Sequence, residues 1–311
     1  PVFLDYQKDM SQLKAKSDIP ILYKQNVAND LFQLIYVFDM GNNHDKALGT
    51  AFDYLEYLGT SDMTPEELKS EFYRLACTFY VSPGNERTYV VLSGLNENMP
   101  AAVQLFEKLL ADAQVNKEAY TNMTSDILKA RSDAKLNQGQ NFSRLMSFAM
   151  YGPKSPATNL LTEAELTNMN PQELVDRIHN QNSYKHRILY YGPSSSKDLL
   201  ATINQYHQVP AALKDIPAGN EYAYLETPVT KVLVAPYDAK QIYMAQISNL
   251  DKKYDPAIEP IRALYDEYFG GGMNSIVFQE MRETRGLAYS AWASTVSYTH
   301  LRAHETVLDL V

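Results

Sequence analysis

One cysteine, Cys77, stands in 311 residues, so neither an internal disulfide nor a cysteine zinc cluster can form within the chain. Basic residues are the minority. Lys and Arg number 28 against 37 Asp and Glu, a formal charge of −9, and no Lys/Arg cluster offsets it. Phosphate neutralisation needs a basic face, so this balance argues against a nucleic-acid partner. No apolar run reaches the roughly 18 residues of a membrane helix, so no membrane span is expected. An initiator Met and a signal peptide are also missing; the chain opens at Pro1 and reads as a fragment.

What is present is enough for a core. Hydrophobic residues make up 45% and charged residues 21%, and the length suits two domains. The 23 tyrosines fit amphipathic rings at half-buried positions.

Along the chain, residues 31–40 (LFQLIYVFDM) read as a buried strand, followed by a turn at Gly41-Asn42-Asn43. Residues 44–58 carry apolar side chains at helical spacing and stop at Gly59. Thr64-Pro65-Glu66-Glu67 is a helix start: a capping Thr, Pro in the first turn, and acids at the positive dipole end. Strands are expected over 77–82 and 87–93, helices over 98–113, 117–138, 142–151 and 171–180, a strand over 185–191 and a helix over 194–207. Residues 208–229 hold Pro210, Pro217 and Pro228 without periodicity and read as a linker. Beyond it, strands are expected over 231–234, 241–248 and 287–293, and helices over 255–269 and 274–284.

The two regions repeat each other. Asp53-Tyr54-Leu55-Glu56-Tyr57-Leu58-Gly59 aligns with Leu264-Tyr265-Asp266-Glu267-Tyr268-Phe269-Gly270, matching Tyr, Glu, Tyr and Gly. Strand–helix–helix–strand used twice predicts an α+β protein of two homologous sandwich modules, each an antiparallel-rich sheet with helices on one face. The expected division is an extension over 1–26, a first module over 27–207, the linker, and a truncated second module over 230–295.

Phe269-Gly270-Gly271-Gly272-Met273-Asn274-Ser275, Phe278-Gln279-Glu280-Met281-Arg282 and Gly286-Leu287-Ala288-Tyr289-Ser290 follow one another in the second region. The first region carries Asp45, Leu48-Gly49, Tyr57-Leu58-Gly59-Thr60, Arg87-Thr88 and Ser93-Gly94-Leu95. Together, over residues 27 to 293, these motifs resemble pitrilysin/insulinase-type zinc metallopeptidases, which consist of four related modules in two closing halves. In that family the zinc module carries H-x-x-E-H, two ligands and a general base on one helix face. Anchored on Gly59-Thr60, those positions fall on Thr50, Asp53 and Tyr54. Neither histidine is present, and one remaining carboxylate does not hold a zinc that takes three protein ligands. The resemblance therefore implies the non-catalytic C-terminal half, with no catalytic residue and no cofactor here, and with zinc in a half outside this sequence. It also implies that Arg282 and Tyr289 contact substrate, as a charged fork for peptide carbonyls and a hydroxyl for a developing oxyanion. The bland alternative is a surface Arg beside Glu283 and a Tyr packed in the core.

Other motifs weigh less. Gly270–Gly272 trails a helix and lacks a following Lys-Ser/Thr, so a cap is expected, not a phosphate loop. Gly192-Pro193-Ser194-Ser195-Ser196-Lys197 opens a helix, where a serine cap outweighs an anion site. Asn122-Met123-Thr124 and Asn141-Phe142-Ser143 match the glycosylation sequon but lie in helical patterns. His300 and His304 have helical metal spacing, yet the tail from Val296 resembles the translation of a sequencing adapter. The resulting expectation is the substrate-enclosing, non-catalytic half of a zinc endopeptidase acting on peptides or unfolded chains, partnered by its catalytic half. The rival is a zinc-free structural subunit of the same fold that pairs with a catalytic subunit. Cysteine usage leaves the bacterial cytoplasm, periplasm and cell envelope equally open.

Overall fold

The computed structural model describes residues 5–249, 255–295 and 304–305. After a short helix α1 (Tyr6–Asp9), strands β1 (Ser11–Lys14) and β2 (Pro20–Gln25) lead into β3 (Leu31–Phe38). In β3 the side chains of Phe32, Leu34, Tyr36 and Phe38 point to one face and are buried, while Leu31 and Gln33 on the other are exposed. That is the two-residue period of a strand with one face on a core. Two helices follow, α2 (Leu48–Leu55) and α3 (Pro65–Arg74), then the hairpin β4 (Cys77–Pro83) and β5 (Thr88–Leu95). The expected start of α3 is realised in full. The Glu67 backbone N–H donates to Thr64 Oγ1 at 3.2 Å, and the Thr64 N–H donates to Glu67 Oε2 at 2.8 Å. Helix α2 is shorter than its apolar pattern, because Asn42 and Asp45 side chains take the Gly49 and Ala47 N–H groups and hold 42–47 in turns.

Helices α4 (Met99–Asp112), α5 (Lys117–Ala134) and α6 (Gln138–Tyr151) come next, then α7 (Glu163–Asn168), α8 (Gln172–Asn180), β6 (His186–Gly192) and α9 (Ser196–Tyr206). At the start of α9, Ser195 Oγ accepts from the Asp198 N–H at 3.2 Å, a plain serine cap. The six strands form one sheet in the order β1-β2-β6-β3-β5-β4, antiparallel except for β2 beside β6. Phe32, Leu34 and Tyr36 continue across the sheet into Ile21, Tyr23, Ile188, Tyr190, Val90 and Leu92, all buried. Helices α2, α4, α8 and α9 pack against one another beside this sheet. Each fully buried Leu or Phe contributes roughly 1.5–3 kcal/mol. The extension expected over 1–26 is thus corrected. Residues 11–14 and 20–25 are strands of the sheet, because Ile21 and Tyr23 complete its apolar face.

By their contacts the residues form two compact units, one up to Ile127 with Leu160–Asn220, the other Leu128–Asn159 with the residues from Glu221 on. The first holds the sheet. In the second, residues 221–246 run without regular structure beside α6: Leu225 N–H donates to Met150 O at 2.7 Å and Gln138 Nε2 to Gln241 O at 2.8 Å. Tyr224 stacks on Tyr151 with ring centroids 4.6 Å apart. Helix α10 (Glu259–Phe269) and the three-residue α11 (Ile276–Phe278), which runs on as a π-helix over Gln279–Thr284, match the expected helices.

Three expected strands do not form as such. Residues 231–234 and 287–293 have no strand structure, and of 241–248 only β7 (Ile247–Ser248) does. Its partner is β8 (His304–Glu305). A strand is stable only where a neighbour takes its backbone hydrogen bonds, and among the described residues no strand lies beside 231–234 or 287–293. Val232, Val234, Ile242 and Leu287 are accordingly exposed. Apart from residues 304–305, the tail from Val296 lies outside the described residues.

Candidate substrate-contact site

The second unit places Arg282 and Tyr289 by a chain of local devices. Ser275, 1% exposed, caps α11 through its Oγ, which accepts from the Phe278 N–H at 3.3 Å. The helix then widens into the π-turn that carries Arg282, and single π-turns inside helices are frequent at functional sites. Gly286 ends it at φ +58, a left-handed conformation in which a glycine is free of the Cβ clash. Its N–H donates to Arg282 O at 3.0 Å, and the Leu287 N–H to Met281 O at 2.8 Å. The chain beyond is held by a small core of Val277, Ala288, Ala291 and Ala293, with Phe269 and Met281 against it. Gly270 is required there, since a Cβ on it would lie 2.1 Å from the Ala293 carbonyl oxygen.

These devices bring the pair together. The Arg282 guanidinium lies 4.5 Å from the Tyr289 ring centroid and 4.8 Å from that of Phe278. Such exposed cation–π contacts contribute about 0.5–1 kcal/mol each. Glu283 Oε1 is 3.5 Å from Arg282 Nε, too long and too exposed to neutralise it fully. Tyr289 is 76% exposed, which removes the reading of a core tyrosine. Neither its hydroxyl nor the guanidinium makes a hydrogen bond among the described residues. The site therefore offers a fixed cation and a phenol side by side, with their donors unspent.

The positions of the metal motif behave differently. Tyr54, 0% exposed, donates its hydroxyl proton to Asn116 O at 2.6 Å and accepts from the Asn116 N–H at 2.9 Å. It ties α2 to the start of α5 and packs edge-on against Tyr120. Asp53 is exposed on α2, with its carboxyl raised above the usual range by partial desolvation and by neighbouring Glu56. Thr50 is half-buried. Among the described residues no group of three His, Cys, Asp or Glu side chains could hold a metal ion. No helix among them is long and apolar enough to cross a membrane.

Sequence reading passed over one polar constellation, the buried Glu107, His186 and His207. The signal was available: each sits at core spacing from apolar neighbours, Val103 and Leu110, Ile188, and Ile203.

Comparison with known proteins agrees with the fold described above. No family model matches the chain. An "uncharacterized zinc protease" of Rickettsia felis is 20% identical in an alignment of 272 residues that covers 83% of this chain; the chain spans 62% of that relative's length. A peptidase M16 inactive domain from Pseudomonas fluorescens superposes with TM-score 0.70 at 17% identity, over 96% of this chain and 74% of that one. The periplasmic protease PqqL of Escherichia coli gives TM-score 0.75 at 14% identity, over 97% of this chain and 34% of its own. A mutant of the ferredoxin protease FusC, in complex with Arabidopsis ferredoxin, gives 0.73 at 12%, over 100% and 34%. The chain has the fold of these peptidase domains.

Proposed function

We propose that this chain is the substrate-enclosing, non-catalytic half of a zinc-dependent endopeptidase that acts on peptides or unfolded chains. The carrying observation is the pairing of half-buried Arg282, on a π-turn, with exposed Tyr289, neither spending a hydrogen bond among the described residues, within a peptidase-type fold. A guanidinium donates to peptide carbonyls, and a phenol supports negative charge developing on a scissile one. Both act on a substrate whose water is activated elsewhere. Helix α2 has Tyr54 committed to Asn116 where a ligand would stand, so metal, base and water belong to a module outside this sequence.

The test is to express the whole native reading frame alongside the 311-residue chain and assay both on a quenched peptide. Chelator-sensitive cleavage by the former and none by the latter is expected. Zinc-dependent cleavage by the chain alone overturns the proposal. A whole reading frame without an H-x-x-E-H module returns the chain to the role of a zinc-free partner subunit.

A further inference from the structure

The first unit buries a continuous polar array that the proposed function does not use. His186 Nδ1 lies 2.7 Å from the Tyr184 carbonyl oxygen. His186 Nε2 and His207 Nε2 are 2.8 Å apart, and His207 Nδ1 is 2.6 Å from Glu107 Oε1. Glu107 Oε2 accepts from Asn182 Nδ2 at 2.9 Å and from the Gln208 backbone N–H at 3.0 Å. Glu107 is 1% exposed, His207 0% and His186 6%. Tyr36, from β3, is the further ionisable side chain against the rings, 4.5 Å from that of His207, and burial beside Glu107 raises its phenol well above the usual range. It stays neutral.

These contacts dictate a proton count. A carbonyl only accepts, so His186 Nδ1 carries a proton. Asn182 and the Gln208 N–H donate to Glu107 Oε2, as to a carboxylate, and a carboxylate only accepts, so His207 Nδ1 carries another. The Nε2–Nε2 contact needs one more. Three protons on two imidazoles make one unit of positive charge, which the carboxylate cancels. A fourth proton sets N–H against N–H and leaves uncompensated charge in the core; a missing one sets two lone pairs together. The array is closed only when it holds three.

Its place gives it a purpose. His207 and Gln208 are the residues at which the chain leaves α9 for the segment that follows. We propose that Glu107, His207 and His186 form a proton-counting clasp that fastens the end of α9 to α4 at neutral pH and releases it in acid. Burial, then the charge of His207, holds the His186 imidazole down to about 4. The unfolded histidine titrates near 6.5, so the unfolded chain binds one more proton between those values. The part of the stability that His186 contributes is therefore complete above pH 6.5 and declines as pH falls toward 4, by up to about tenfold in the folding equilibrium per pH unit.

NMR of the 311-residue chain with histidine ring labels tests this directly, with the His186 signal assigned by His186→Phe. His186 should remain neutral down to below pH 5 in the folded protein. The Gln208 amide should be protected from exchange at pH 7 and lose that protection in acid before β3 does. A His186 that titrates near 6.5 with the fold intact, or a Gln208 amide equally protected at pH 7 and 4.5, overturns the clasp. His186→Phe keeps ring volume against Phe38 and should take up about one proton fewer on urea unfolding between pH 6.5 and 4.5. An unchanged uptake counts against the proposal, and if that variant fails to fold, exchange at Gln208 in the unaltered chain still decides.

Discussion

Arg282 and Tyr289 differ from Tyr54 in where their polar atoms are spent, and that difference sets opposite mutational signatures. Tyr289→Phe removes a hydroxyl that bonds nothing among the described residues, so its melting temperature should not move. Under the proposed function, a charge-assisted hydrogen bond from this pair to substrate in the whole enzyme is worth roughly 1.5–3 kcal/mol. Arg282→Ala or Tyr289→Phe should then lower kcat/KM by about one to two decades. Paired melting and kinetic measurements on the same variants check this; a destabilised but fully active Tyr289→Phe would make the pair structural. Tyr54→Phe should do the reverse. It strands the Asn116 N–H and carbonyl at a buried contact and should cost about 1–3 kcal/mol in urea unfolding, with catalysis per folded molecule intact.

At the scale of elements, the connection between the π-turn and Tyr289 rests on one backbone conformation. No atom lies within 4 Å of a Cβ built on Gly286, so Gly286→Ala meets no clash, only the left-handed φ of +58. That should cost roughly 1 kcal/mol, with Asn, which tolerates this region, costing less. Thermal melts of the two variants give the order. A strand behaves differently from such a turn, because its hydrogen bonds lie outside itself. Residues 31–38 have β5 and β6 on either side and form β3 as their pattern demands. Residues 287–293 set Leu287, Tyr289 and Trp292 among three alanines and a serine, have no partner strand among the described residues, and do not form one.

For the whole molecule, two predictions concern metal and acid. Desalted protein should retain no stoichiometric zinc by elemental analysis, since a three-ligand site would hold it through desalting. One equivalent, lost on histidine substitution, would contradict the reading of α2. Acid should act in two stages. Above about pH 4 the loss belongs to His186, whose folded value is depressed. Asp39 is held below the usual carboxylate range by Arg187 and then Arg87, and Glu165 is held at about 2 chiefly by Lys46. A carboxyl with a depressed folded value stabilises above its unfolded value near 4 and loses that support as pH falls through the folded one. These pairs are solvent-exposed, so the second stage should be shallow and salt-sensitive. Urea unfolding across pH 3–7 at two ionic strengths separates the stages.

Much of this was settled by the sequence. The capped start at Thr64, the buried run of β3, the helices and the Gly270–Tyr289 motifs are local patterns, and local backbone preference and period are enough to specify them. That Thr50 and Tyr54, where the resemblance would put histidines, are not histidines is equally plain. Tertiary structure alone decided the rest, because it depends on partners distant in the chain. Ser11–Lys14 and Pro20–Gln25 became strands when β6, over 160 residues away, offered an edge. Residues 231–234 and 287–293, as apolar as many strands, found none. Arg282 meets Tyr289 across a glycine whose φ no composition reveals. The Glu107–His207–His186 array joins residues up to 100 apart, and only packing brings three ionisable groups onto one shared set of protons.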